Sequence, residues 1–88
     1  MQYKTTLNFY ERFHIKSENI IYSSTNEVDL VKEMRSQCFI PSENVYEFMR
    51  EFSKRCYKWD RSMVRFDTEK NFIEDLLNTN YLTITKLN

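Results

Sequence analysis

Between residues 51 and 66 the chain reads EFSKRCYKWDRSMVRF, five basic side chains mixed with four aromatic ones. Cations interleaved with π-faces suit nucleic acid, because the cations neutralise phosphates and the rings stack on bases. Helical geometry separates the two sets. At about 100° per residue, Val45, Phe48, Met49, Phe52, Cys56 and Trp59 share one arc, the stripe of a helix that faces a core. Arg50, Lys54 and Lys58 fall on the far side, in register with Glu43, Glu47 and Glu51. Acids in the first half and bases in the second suit the helix macrodipole, and Glu51 to Arg55 is a well-oriented i,i+4 pair. Most of the stretch therefore reads as the solvated back of a core helix. Lys54, Lys58, Arg61 and Arg65 are left over, with Asp60 the one nearby acid and Tyr57 flanking them. They are candidate nucleic-acid contacts, and so few charges would bind weakly and with strong salt dependence.

The other chemistry-bearing residues are scattered. His14 is the single histidine, with no second metal ligand at a usable spacing and no cysteine or serine tied to it by motif. Cys38 and Cys56 fall on apolar stripes of successive helices, where a thiol is a small hydrophobe of raised pKa and low reactivity. Glu69, Glu74 and Asp75 surround a third helix, Glu69 in its acid-favouring first turn and the other two opposite its apolar stripe, the usual place of solvated carboxylates. The chain has no glycine and no alanine but eight asparagines. Without glycine there is no Walker loop and no dinucleotide fingerprint. Any positive-φ position is then expected to fall to Asn or Asp. No catalytic residue, cofactor or metal site is expected, and a filled core leaves little room for a ligand cavity of about 300 Å³.

Composition narrows the classes further. Thirteen basic and thirteen acidic residues cancel in 88, which disfavours a DNA mimic and any protein held on membrane or nucleic acid by bulk charge. Two cysteines are too few for a disulfide framework. The opening MQYKTTLNFYERF lacks the apolar segment of a signal peptide, and no apolar run nears the roughly 20 residues of a membrane span. A cytoplasmic protein of one domain, residues 1–88, is expected. The missing glycine and alanine and the abundant asparagine suggest an AT-rich bacterial or phage genome.

These residues must be positioned by short elements. Residues 3–15 alternate, with Tyr3, Thr5, Leu7, Phe9, Glu11, Phe13 and Ile15 on one side, so they read as a strand bent near Glu11. KSEN (16–19) is a turn, and IIYSS (20–24) completes an antiparallel hairpin. Ser24 or Thr25 caps a first helix with Leu30, Val31, Met34 and Cys38 as its stripe. Pro41 ends it, and Ser42 caps a second helix over residues 43–59. SMVRFD (62–67) reads as a strand with Val64 and Phe66 on one face. Asp67 or Thr68 caps a third helix carrying Phe72, Ile73, Leu76 and Leu77, NTN (78–80) stops it, and YLTITKL (81–87) is the last strand. The order ββααβαβ predicts an α+β fold: a small mixed four-stranded sheet with three helices on one face, its final strand–helix–strand a right-handed parallel crossover.

Fourteen aromatic residues exceed what one small core should need. Tyr10, Tyr22, Tyr46, Tyr57 and Tyr81 are therefore expected on a surface used for protein contact, where rigid amphipathic rings are favoured. The function expected is non-enzymatic: a protein–protein interaction module, a small bacterial or phage regulator or inhibitor of the immunity, antitoxin or anti-defence kind, with a homodimer as the simplest way to cover that surface. The alternative is a nucleic-acid-binding regulator using the basic patch.

Overall fold

The computed structural model describes residues 3–22, with Tyr22 as backbone only, and residues 26–86. Three strands, β1 (Tyr3–Leu7), β2 (Asn19–Tyr22) and β3 (Leu82–Lys86), and three helices, α1 (Glu27–Ser36), α2 (Val45–Asp60) and α3 (Glu69–Asn78), make a mixed α+β structure. The sheet has three strands in the order β2-β1-β3. Every pair is antiparallel: Tyr3 faces Tyr22 on one side, and Leu7 faces Leu82 on the other. Thr5, Leu7, Ile20 and Leu82 point inward, while Ile21, Thr83 and Thr85 stay exposed. That inside–outside alternation is what an antiparallel sheet with one covered face requires.

The mixed four-stranded sheet and the parallel crossover are therefore corrected. β3 takes the free edge of β1 in antiparallel register, and residues 61–66 join no ladder. The reason lies in α3. Arg65 donates its backbone N–H to Asp75 Oδ2 at 2.8 Å, and its guanidinium holds the same carboxylate at 2.9 Å. This clamp ties the segment to α3, away from the sheet.

Nor is the stretch 3–15 one strand. Phe9 takes φ 59°, a 3₁₀ turn follows over Tyr10–Phe13, and His14 takes φ 56°. The chain doubles back so that Leu7, Phe13 and Ile15 remain buried while Phe9 is turned outward. Ile15 then bridges Cys38. Four described residues have positive φ: Phe9, His14, Arg61 and Asn80. Only Asn80 is of the expected type. A bulky residue in the left-handed region costs about 1 kcal/mol or more, so this glycine-free chain carries strain at three turns.

The helix caps follow sequence chemistry with shifted positions. Asn26 Oδ1 accepts from Asp29 N–H; the residues expected to cap α1, Ser24 and Thr25, lie outside the described residues. Asn44, two residues beyond the expected Ser42, caps α2 by accepting from Glu47 N–H. Thr68 caps α3 through Asn71 N–H. Each cap contributes about 1 kcal/mol. Arg35 in the last turn of α1 donates to the carbonyls of Ser42 and Glu43 at 2.8 and 3.1 Å, fixing the joint between α1 and α2.

One continuous core joins the inner sheet face to all three helices. Its centre is aromatic: Phe13 stacks on Phe52 at 3.6 Å, and Phe52 meets Phe72 edge-on at 5.5 Å. Leu7, Val31, Met34, Cys56, Phe72 and Leu76 are fully buried. The expected stripe of α2 holds for Phe48, Met49, Phe52 and Cys56, whereas Trp59 at its end is 37% exposed and lies against Phe13.

Candidate interaction surfaces along helix 2

Helix α2 separates two surfaces. On one flank, Phe48, Glu51, Phe52 and Arg55 join Phe13, His14, Cys38, Phe39, Ile40 and Ser42 around a cleft of about 280 Å³. The Pro41-terminated joint after α1 forms its lip, with Ile40 90% and Phe39 67% exposed. On the other flank, residues 61–66 run beside Tyr46, Ser53 and Tyr57 and leave two open grooves of about 480 and 340 Å³, both lined by Met63, Val64 and Phe66. These grooves exceed the room expected from sequence because they are open troughs on the surface.

The cleft brings together groups that spacing in sequence kept apart. His14 O accepts from Phe39 N–H at 2.9 Å, and His14, Cys38 and Glu51 all line the cleft. A cysteine–histidine–carboxylate set suggests nucleophilic chemistry, but the thiol is wrong for it. Cys38 is 6% exposed and donates to Met34 O at 3.6 Å, and burial pushes its pKa up. A nucleophilic cysteine needs the opposite shift. Cys56 is fully buried, and desolvation raises it to about 12. Among the described residues no group of three or more His, Cys, Asp or Glu is placed to hold a metal ion, and no helix is long and apolar enough to cross a membrane.

The tyrosines divide. Tyr46 and Tyr57 are 51% and 46% exposed, and Tyr46 meets Phe66 edge-on at 5.8 Å. Tyr10 is partly buried against the core. The side chain of Tyr22 lies outside the described residues. Tyr81 is corrected outright: it is 3% exposed, and its hydroxyl donates to Asp60 Oδ2 at 2.6 Å. That bond and those from Ser62 hold the Asp60 carboxyl below its ordinary value, Ser62 contributing most. Tyr81 packs edge-on against Phe13 at 5.8 Å, so it is a core residue with a polar tip.

The basic set divides as well. Lys54, Lys58 and Arg61 are exposed and form no ion pair among the described residues, and Arg61 lies over the Tyr57 ring at 5.1 Å. Arg65 is held by Asp75 and Glu74 at 2.9 and 3.3 Å, which withdraws it from the proposed phosphate patch. The Glu51–Arg55 pair does not form; Glu51 accepts from Ser42 Oγ instead, and Arg50 pairs back to Glu47 at 2.7 Å. Comparison with protein-family models, curated proteins and solved structures finds no match to this chain.

Proposed function

We propose that this chain is a non-enzymatic protein-binding module, a small cytoplasmic regulator or inhibitor that acts by covering a site on another protein. The observation that carries this reading is the pair Phe39 and Ile40, 67% and 90% exposed on the lip of an apolar-floored cleft. Exposing two large adjacent apolar side chains on a rigidly tied joint wastes burial in a domain this small. The joint is held by the Arg35 bonds and the His14–Phe39 bond, so the two side chains are presented in place. A preformed projecting anchor beside a recess is the usual centre of a protein interface.

The nucleic-acid reading keeps Lys54, Lys58 and Arg61 but not Arg65. Three phosphate contacts would lose roughly 40-fold in affinity between 50 and 200 mM salt. The discriminating experiment replaces Ile40 by p-benzoylphenylalanine and irradiates the full chain in its native host. One discrete crosslinked protein, competed by excess unmodified chain, is expected. Absence of any such product, together with oligonucleotide binding at physiological salt that is lost on neutralising Lys54, Lys58 and Arg61, would replace this reading with the other.

A further inference from the structure

The opposite flank of α2 holds a strand-like segment with no neighbour. Along residues 62–67 exposure alternates: Ser62 half-buried, Met63 exposed, Val64 buried, Arg65 exposed, Phe66 half-buried, Asp67 exposed. This is the period of a strand with one covered face, and SMVRFD reads as a strand from sequence. Its backbone is nonetheless unpaired. The N–H groups of Met63, Val64 and Phe66 and the carbonyls of residues 62–66 have no partner among the described residues, while Ser62 N–H is taken by Asp60 and Arg65 N–H by Asp75.

The direction of these groups is informative. In a strand, N–H and C=O alternate between its two edges. Arg65 N–H points at α3, so the edge carrying the groups of Ser62, Val64 and Phe66 points the other way. We propose that a second copy of this chain supplies the missing strand, the two segments pairing antiparallel about a twofold axis at Val64. In that register Val64 exchanges both backbone bonds with its own counterpart, and each Phe66 N–H reaches the partner's Ser62 carbonyl. Met63 lies opposite Arg65, and at the ends of the ladder Arg61, the left-handed cap of α2, comes near the partner copy's Asp67, whose carboxylate accepts from Asn71 Nδ2. The segment is thus charge-complementary to itself when reversed, with a cation at one end and a carboxylate at the other, as an isologous contact requires. Met63, 78% exposed, would lie over the aliphatic stem of the opposite Arg65 without disturbing its guanidinium. Ser53 lines one of the adjoining grooves, and its Oγ is buried without a partner.

A strand pair of this length is at the small end of stable interfaces, so the mass in solution should rise from monomer to dimer between about 1 and 300 µM. Light scattering over that range measures it. Arg61→Asp sets like charges opposite and should hold the chain monomeric, and the double exchange Arg61→Asp with Asp67→Arg should restore the dimer. Aspartate tolerates the left-handed backbone at position 61, and circular dichroism checks that each variant folds. A nitroxide on a cysteine placed at Met63 gives a second readout. The two copies of that residue are diagonal neighbours about 8 Å apart in the proposed register, so its spectrum should broaden with concentration, while a label at Thr83 on β3 should not. A monomer throughout the range, an Arg61→Asp dimer, or a dimer without broadening at position 63 would each overturn the pairing. The pairing is independent of the binding surface at Ile40. A monomer that still crosslinks through position 40 refutes the dimer alone, and a dimer that crosslinks nothing there refutes the binding module alone.

Discussion

Removing one oxygen tests how α2 is tied to the strand that follows α3. Tyr81→Phe keeps the ring, and with it the edge-on contacts to Phe13 and Phe9, but deletes the 2.6 Å bond to Asp60 Oδ2. A hydrogen bond to a charged group contributes about 1.5–3 kcal/mol when buried. Here the donor is buried and the acceptor exposed, so water replaces the phenol at Asp60 and Ser62 N–H still bonds the carboxylate. The expected loss is therefore at the low end, about 1–2 kcal/mol. Each kcal/mol moves the Tm of a domain this size by roughly 4–8 °C. Acid supplies an internal control. The Asp60 carboxyl is lowered from 3.8 in the folded protein, so its contribution is present above that pH and is lost as pH falls through the lower folded value. The gap between wild type and Tyr81→Phe in urea unfolding should be full at pH 7 and should shrink as pH falls below 3.8 and through the lower folded value. Equal stability at pH 7, or nitration of Tyr81 as fast as Tyr46 in the folded protein, would refute the buried bond.

Leu76→Ala removes a fully buried side chain in the last turn of α3 and should cost about 2–5 kcal/mol by chemical denaturation, a large share of what a domain this size possesses. Cys38 and Cys56 should react slowly with a thiol reagent under native conditions and quickly once unfolded; rapid native labelling of either would contradict their burial. Asp75, whose carboxyl is lowered chiefly by its bond from Arg65, likewise stabilises the fold above pH 3.8 and stops doing so as pH falls through its folded value. Asp75→Asn should therefore flatten the acid limb of the stability curve and, with Arg65 half exposed, cost about 1 kcal/mol at neutral pH.

What the sequence determined on its own is local. The apolar periods of α1, α2 and α3, the Thr68 cap of α3 and the two-faced alternation of β1 and β3 all follow from neighbouring side chains, because a helix or strand face is set within a few residues; the cap of α2 falls on Asn44, not on the Ser42 that the sequence favours. The wheel of α2 separated its aromatics from its cations, and Phe48, Met49, Phe52 and Cys56 are buried accordingly. Three matters were decided only by distant contacts. Tyr81 looked like one more surface tyrosine until α2 ended with Asp60 beside it, 21 residues away. Arg65 looked like a free cation until α3 folded Asp75 and Glu74 onto it. Residues 62–67 have the composition and burial period of a strand, yet whether a strand joins a ladder depends on reaching a partner edge, and the Arg65–Asp75 clamp holds this segment on α3, away from the outer edges of β2 and β3. Pairing is a property of two segments, and one segment's sequence carries only half of it.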